Sequence, residues 1–343
     1  MKRTHMDSRI AFAAGAAGVL LMVATGAAAT AQAAELPPGA PPGTCPADGG
    51  YGPPLASATT TATRLVGGRA FLEGPVWIAD GDYLLMSEMA AAAGPQRVQP
   101  SAILRYTPAS ATVETAVPAS GSNGLALAPD GRSIVAATHD QRSVSRYALP
   151  GFAREAVAVG FQGAAFNSPN DVAIRSDGVV YFTDPDFQRG ARADAMKGRT
   201  SVFWVSGGVV SLLDDTLREP NGIALSPDGA TLYVGAYGEN KIYSYPVRAD
   251  GSTGARTQFA SIGGPDGATI DCAGNVYWAS GRDGLVHVFT PDGRQLGTVS
   301  SSGAGTTNVA FGGADRQTLF ITSGRTGDSG LYSVRLGVPG YPY

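Results

Sequence analysis

Six short segments of this chain repeat one pattern, and that repeat limits the fold more than any other feature. They are Glu73-Gly74-Pro75-Val76-Trp77, Asn123-Gly124-Leu125-Ala126-Leu127, Asn170-Asp171-Val172-Ala173-Ile174, Asn221-Gly222-Ile223-Ala224-Leu225, Asp266-Gly267-Ala268-Thr269-Ile270 and Asn308-Val309-Ala310-Phe311. Each starts on a polar anchor and runs into a short apolar strand. Successive anchors stand 42 to 51 residues apart. An Asp follows the anchor by seven residues in five repeats: Asp80, Asp130, Asp177, Asp228 and Asp315. The fifth repeat has Ala273-Gly274 instead. Asp-Gly pairs between apolar runs are strong hairpin signals. A second strand is predicted after each such turn, over 133–137, 179–183, 231–235, 275–279 and 318–322. A third is predicted over 143–147, 201–205, 241–245 and 330–334.

No such unit can bury its own two faces, so the units must stack. Repeats of this length with several strands each point to an all-β, six-bladed β-propeller of four-stranded blades. It is predicted over residues 58–343. A two-sheet sandwich would not explain the fixed anchor-to-turn offset. Little chain follows the last repeat, and a spare strand over 61–66 precedes the first. That N-terminal strand is expected to close the ring as the outer strand of blade six, leaving no open edge there. Composition agrees. Gly is 47 of 343 residues and charged residues are 15%, against about 25% in average globular chains. A disordered chain, a coiled coil and a charged helical bundle are excluded. A net charge of −3, with no basic run beyond the N-terminus, argues against nucleic acid as a partner.

Lys2, Arg3 and Arg9 precede an Ala-rich apolar run over 10–29, followed by Ala31-Gln32-Ala33. Charged start, apolar middle and small-residue end predict a signal peptide over 1–33. The mature chain is then exported, to periplasm or medium, with no membrane association. Residues 34–57 read as a Pro/Gly-rich lead-in. Cys45 and Cys272, the two cysteines, would fall where disulfides persist. One lies upstream of the closing strand and the other at a turn of blade five, so a bridge is expected.

If each anchor begins an innermost strand, all six approach the axis at one end. Two carboxylates (Glu73, Asp266) and four amides (Asn123, Asn170, Asn221, Asn308) would converge there. Buried polar groups need partners, and a hard divalent cation supplies one. Calcium takes six to eight oxygen ligands, carboxylate and amide included. Loop residues Glu88, His139, Asp184, Tyr237, Arg282 and Arg325 are placed to wall a pocket at that end. The loop over 184–200, with Phe187, Arg189 and Arg192, is long enough to cover it. Trp77, Trp204 and Trp278 are expected to fill space between blades.

These anchors, together with Ser168-Pro169-Asn170-Asp171, Tyr181-Phe182-Thr183-Asp184-Pro185, Pro220-Asn221-Gly222 and Pro265-Asp266-Gly267, resemble the SMP-30/gluconolactonase/LRE family of calcium-dependent lactonases. The resemblance runs from about Leu72 to the C-terminus. It implies Glu73, Asn221 and Asp266 as metal ligands. Asn170 would be a ligand to the metal or a contact to the substrate. It also puts the catalytic role on Asp266. Asn123, His139, Asn170 and Asp171 are the substrate-binding candidates. Animal members carry an Arg where this chain has Ser168, as do not the bacterial gluconolactonase-like members, which share Ser-Pro-Asn-Asp. Calcium is the expected ion, with zinc, manganese or magnesium as alternatives. A small-molecule lactone is the expected partner and a monomer the expected state. A calcium-dependent phosphotriesterase and a non-catalytic binding propeller are the rival readings.

Overall fold

The turn Asp residues show why the sequence breaks where it does. Asp130 Oδ1 accepts the N–H of Arg132 at 2.9 Å, Asp228 Oδ1 that of Ala230 at 3.0 Å, and Asp315 Oδ1 that of Gln317 at 3.0 Å. Each closes a local turn through its own side chain. In blade five, where the Asp is missing, Asp271 does the same task two residues earlier. Its Oδ1 accepts Ala273 N and Asn275 N, both at 2.9 Å.

The computed structural model describes residues 45, 50–192, 199–301, 305–324 and 329–342. The predicted signal peptide over 1–33, most of the predicted lead-in and Arg325 lie outside these residues. The strands form six antiparallel blades about one axis. Five innermost strands are Phe71–Ile78, Ser122–Leu127, Val172–Ile174, Pro220–Leu225 and Pro265–Ile270; the sixth is Thr306–Gly312. Each anchor therefore sits within the first three residues of an innermost strand, except Asn170, which lies two residues before its strand. Thr63–Arg69 pairs antiparallel with Ser329–Arg335 at the outer edge of blade six. An unanticipated strand, Thr59–Thr61, runs parallel to Gln295–Ser300 and makes blade five five-stranded.

Six apolar clusters hold the blades, one per interface. Phe166, Phe182 and Phe203 meet Val135 and Val144 between blades two and three. Trp77 stacks on Phe320 between blades one and six, with centroids 5.6 Å apart. Trp278 is fully buried between blades four and five. Two of the three Trp residues thus fill inter-blade space outright, while Trp204 packs partly buried at the interface of blades three and four. Each large side chain so buried stabilises by roughly 1.5–3 kcal/mol.

The C-terminal tail was not anticipated. It crosses the turn face from blade six to blade five. Leu336 N donates to Gln317 O, Gly337 N to Pro54 O, Gly340 N to Arg316 O and Tyr341 N to Ile270 O, all at 2.8–3.0 Å. Cys272 N donates to Pro339 O at 2.8 Å. A Cys45–Cys272 disulfide pins the lead-in at the same place. Among the described residues no helix is long and apolar enough to cross a membrane.

The bridge closes a loop of 227 residues, and linking so long a loop restricts the unfolded chain strongly, typically by 2–4 kcal/mol. Cys45→Ser with Cys272→Ser is expected to lower Tm by about 5 °C or more. Calorimetry on the mature chain would check this; an unchanged Tm would mean the tail and lead-in hold without the bridge.

Candidate active site

Glycines let the anchors approach one another. A Cβ at Gly74 would lie 2.2 Å from Asn123 O, one at Gly222 1.9 Å from Asp266 O, and one at Gly267 1.9 Å from Asn308 Cγ. No side chain fits such gaps, so the residue after these anchors must be Gly where the next blade's backbone or anchor side chain passes. Gly124 N donates to Asn170 O at 2.7 Å, tying blades two and three at the axis.

Blade three breaks this rule by placing Asp171 after its anchor. The Asp171 carboxylate turns into the axis. It accepts Val172 N at 3.0 Å, Ile223 N of blade four at 3.4 Å and Asn308 Nδ2 of blade six at 3.5 Å. With Asn308 it lines a cavity of ≈ 110 Å³ that continues along apolar inner strands to Arg316 and Tyr341 at the turn face. Asp171 thus bridges three blades across the axis, a position that its sequence motif did not reveal.

Glu73, Asp171 and Asp266 are all buried. Burial, then the charge of Asp171, pushes the Glu73 carboxyl up to about 8. Burial pushes Asp171 up to about 7. Burial and the charges of Glu73 and Asp171 raise Asp266 well above the ordinary range. Several hydrogen bonds oppose this: Gly74 N to Glu73 Oε2 at 3.1 Å, Asn308 to Glu73, and Asn221 to Asp266. They do not cancel it.

The anchors differ in what satisfies them. Asn308 is engaged, its Oδ1 accepting Val309 N at 2.8 Å. Asn123 Oδ1 and Nδ2 and Asp266 Oδ1 are buried with no partner. The Asn170 side chain makes no hydrogen bond to a described residue. Unpartnered oxygens beside mutually repelling carboxylates are what a hard cation satisfies, so the residues fit a divalent ion. Among the described residues, no three His, Cys, Asp or Glu side chains form an ion-holding group by themselves. Amide oxygens would have to complete the set.

The remaining sequence candidates fall into place around this ring. His139 is fully buried. Its Nε2–H donates to Gln99 O at 2.9 Å, and its Nδ1 has no partner. Burial lowers its pKa, which favours the neutral ring. Asp184 is not a pocket wall: its oxygens accept Asn167 N and Ser168 N, both at 2.8 Å, beneath the loop that follows it. Ser168 is fully buried and donates to Pro185 O at 2.7 Å. Glu88 faces outward to Arg69 at 2.8 Å. The loop over 185–192 does span the anchor end. Ala191 N donates to Gln96 O at 2.8 Å, Arg192 donates to His139 O and Asp140 O at 3.0 and 2.7 Å, and Phe187 meets Tyr237 of blade four edge-on at 5.7 Å. Arg192 is the residue whose role here sequence reasoning missed: its four backbone carbonyl partners are distant in sequence or set by loop shape.

Comparison with known proteins follows the same outline. A gluconolactonase of Zymomonas mobilis is 32% identical over 273 residues, covering 73% of this chain and 75% of that protein. A pentonolactonase of Haloferax volcanii is 28% identical over 276 residues, 78% and 87% of the two chains. The solved gluconolactonase of Xanthomonas campestris matches with a TM-score of 0.70 at 29% identity, over 90% of this chain and 98% of that one. The calcium-binding protein regucalcin of Agrobacterium tumefaciens shares the fold, with a TM-score of 0.66 at 20% identity, over 84% and 100%. A family model described as the SMP-30/gluconolactonase/LRE-like region matches residues 71–325. That stretch holds all six anchors, the blade-three Asp and the covering loop, and the chain belongs to the SMP-30/gluconolactonase/LRE-like family.

Proposed function

We propose that this chain is an exported, monomeric, cation-dependent lactonase that opens a small-molecule lactone at the anchor end of its axis. The observation that carries this reading is Asp266: a buried carboxylate with one oxygen unpartnered, beside the carboxylate of Glu73 and unpartnered amides. Kinship with a gluconolactonase and a pentonolactonase supports a lactone as the substrate class. The 1–33 pattern and the disulfide support export.

Glu73, Asn170, Asn221 and Asp266 would hold the ion, and calcium suits an all-oxygen set of this kind. A bound divalent cation supplies Lewis-acid polarisation of a carbonyl and charge stabilisation for the oxyanion. The chain's own residues do the rest. Asp266 accepts a hydrogen bond from water and orients it toward the lactone carbonyl carbon. Water adds, the ring C–O bond breaks, and the ring oxygen leaves with a proton as a hydroxyl, giving a hydroxy acid. Asn123, with both amide atoms unpartnered, is available to the substrate. The loop over 185–192 limits access of bulk water from one side.

A carboxyl whose folded pKa is raised binds more protons folded than unfolded, so stability is full at low pH and lost as pH rises through the folded value. With Glu73 at about 8 and Asp171 at about 7, chelated protein should lose Tm steadily from pH 5 to 8. Saturating calcium should flatten that fall. Equal slopes with and without calcium would contradict a cation at this site.

Asp266→Asn removes one of the repelling charges. Its chelated form should melt higher than wild type at pH 8 and gain less from calcium, and the calcium-loaded variant should lose about 10²–10⁴-fold in kcat. Retained turnover would remove Asp266 from the mechanism. The function itself is tested by pH-stat hydrolysis of gluconolactone, γ-butyrolactone and an aromatic lactone after chelation and after calcium, zinc or manganese add-back. Turnover restored by one ion supports the reading. Silence on lactones with turnover of a phosphotriester, or with no turnover at all, would replace it.

A further inference from the structure

Blade three holds its anchor differently from the other five. Its innermost strand, Val172–Ile174, has three residues, where the others have six to eight. Asn170 therefore stands outside the ladder that fixes the other anchors. Its side chain makes no hydrogen bond to a described residue. Where that side chain lies depends on the backbone of the turn over 167–171, and the turn needs a support of its own.

The support is the end of the next strand, Val180–Asp184. Every backbone N–H of the turn goes to the last two residues of that strand. Asn167 N donates to Asp184 Oδ2 and Ser168 N to Asp184 Oδ1, both at 2.8 Å. Pro169 has no N–H to place. Asn170 N donates to Thr183 O at 2.9 Å and Asp171 N to Thr183 Oγ1 at 3.1 Å. Thr183 N donates back to Asp171 O at 3.0 Å. Asn167 Nδ2 adds a bond to Asp184 O at 3.3 Å.

Two successive N–H groups aimed at one point make a small anion-binding concavity. The Asp184 carboxylate fills it with one oxygen for each N–H. A side-chain amide could not, because its NH2 end would face a donor. Asn167, Ser168 and Asp184 are all fully buried. Burial pushes the Asp184 carboxyl up to about 7, against the two N–H groups and the charge of Arg142. A buried carboxylate is unfavourable unless its oxygens are bonded, and here both are bonded to the turn that carries Asn170. The same turn is tied to the covering loop. Ser168 Oγ donates to Pro185 O at 2.7 Å and accepts Gln188 N at 3.2 Å, so turn and loop share one hydroxyl.

We infer that Asp184 is a positioning residue for the cation site, holding the 167–171 turn so that the Asn170 side-chain oxygen meets the ion. Asp184 commits its own oxygens to the turn and acts through Asn170. This deepens the lactonase reading and rests on its cation set.

The test is a double-mutant cycle on calcium affinity, read by titration calorimetry on the chelated mature protein well below its Tm. Asn170→Ala and Asp184→Asn are each expected to weaken calcium binding about tenfold. The double variant should bind less than about threefold more weakly than Asn170→Ala, because no side chain is left to position. A purely structural carboxylate would lower Tm without this non-additivity. Thr183→Val, which removes only the acceptor of Asp171 N, runs the same cycle with a step of about threefold and serves where Asp184→Asn does not fold. Unchanged calcium affinity in Asp184→Asn, or in Thr183→Val in its place, overturns the positioning role and leaves the cation reading standing. Costs that add in full do the same. Unchanged affinity in Asn170→Ala removes Asn170 from the ligand set and the positioning role with it. A wild type that binds no calcium removes the calcium-site reading and the positioning role together.

Discussion

Three carboxylates buried at one end of a narrow axis repel one another, and the organisation of that end follows from containing them. Folding must bring Glu73, Asp171 and Asp266 out of water together. Burial alone favours their protonated forms, and their mutual charge adds to it. The protein neutralises part of this with amides: Asn221 serves Asp266, and Asn308 serves both Glu73 and Asp171. Among the described residues no cationic side chain enters the ring to finish the task. A divalent ion placed there would reverse the pKa logic, because carboxylates that are costly to ionise alone become the favoured ligands of a cation. The same feature that destabilises the empty site at neutral pH makes it a strong place to bind an ion.

Packing around the ring opposes that cost. Each inter-blade interface has its own apolar cluster, so no blade stands by its own packing. The outer strand contributed by Thr63–Arg69, the crossing tail and the disulfide all act where the two ends of the chain meet. A propeller that opened there would release the axis, and the anchors would no longer converge. The glycines after four anchors work at shorter range, by allowing the next blade's backbone or anchor-end side chains an approach that no Cβ permits.

Periodicity made much of this legible in the sequence. An anchor and a turn Asp at fixed offset report a repeated local geometry, so blade number, inner strands and the anchor ring could all be read without coordinates. Features that occur once could not. Asp271 replacing the turn Asp of blade five, the parallel strand Thr59–Thr61 and the crossing tail each depend on tertiary neighbours. Asp184 looked like a pocket residue because its position in the repeat faces the anchor end; its carboxylate is instead consumed by two backbone N–H groups under the covering loop. His139 showed its place in the repeat but not its burial. Asp171 was visible as an exception to the glycine rule only once the axial packing was known.

The most direct measurement is diffraction from crystals of the mature protein grown with calcium. A single calcium peak is expected among the side-chain oxygens of Glu73, Asn170, Asn221 and Asp266, at about 2.3–2.6 Å from its protein ligands. A ring that stays without such a peak at saturating calcium, its carboxylates hydrogen-bonded to water or to each other, would contradict the view that a cation completes this site.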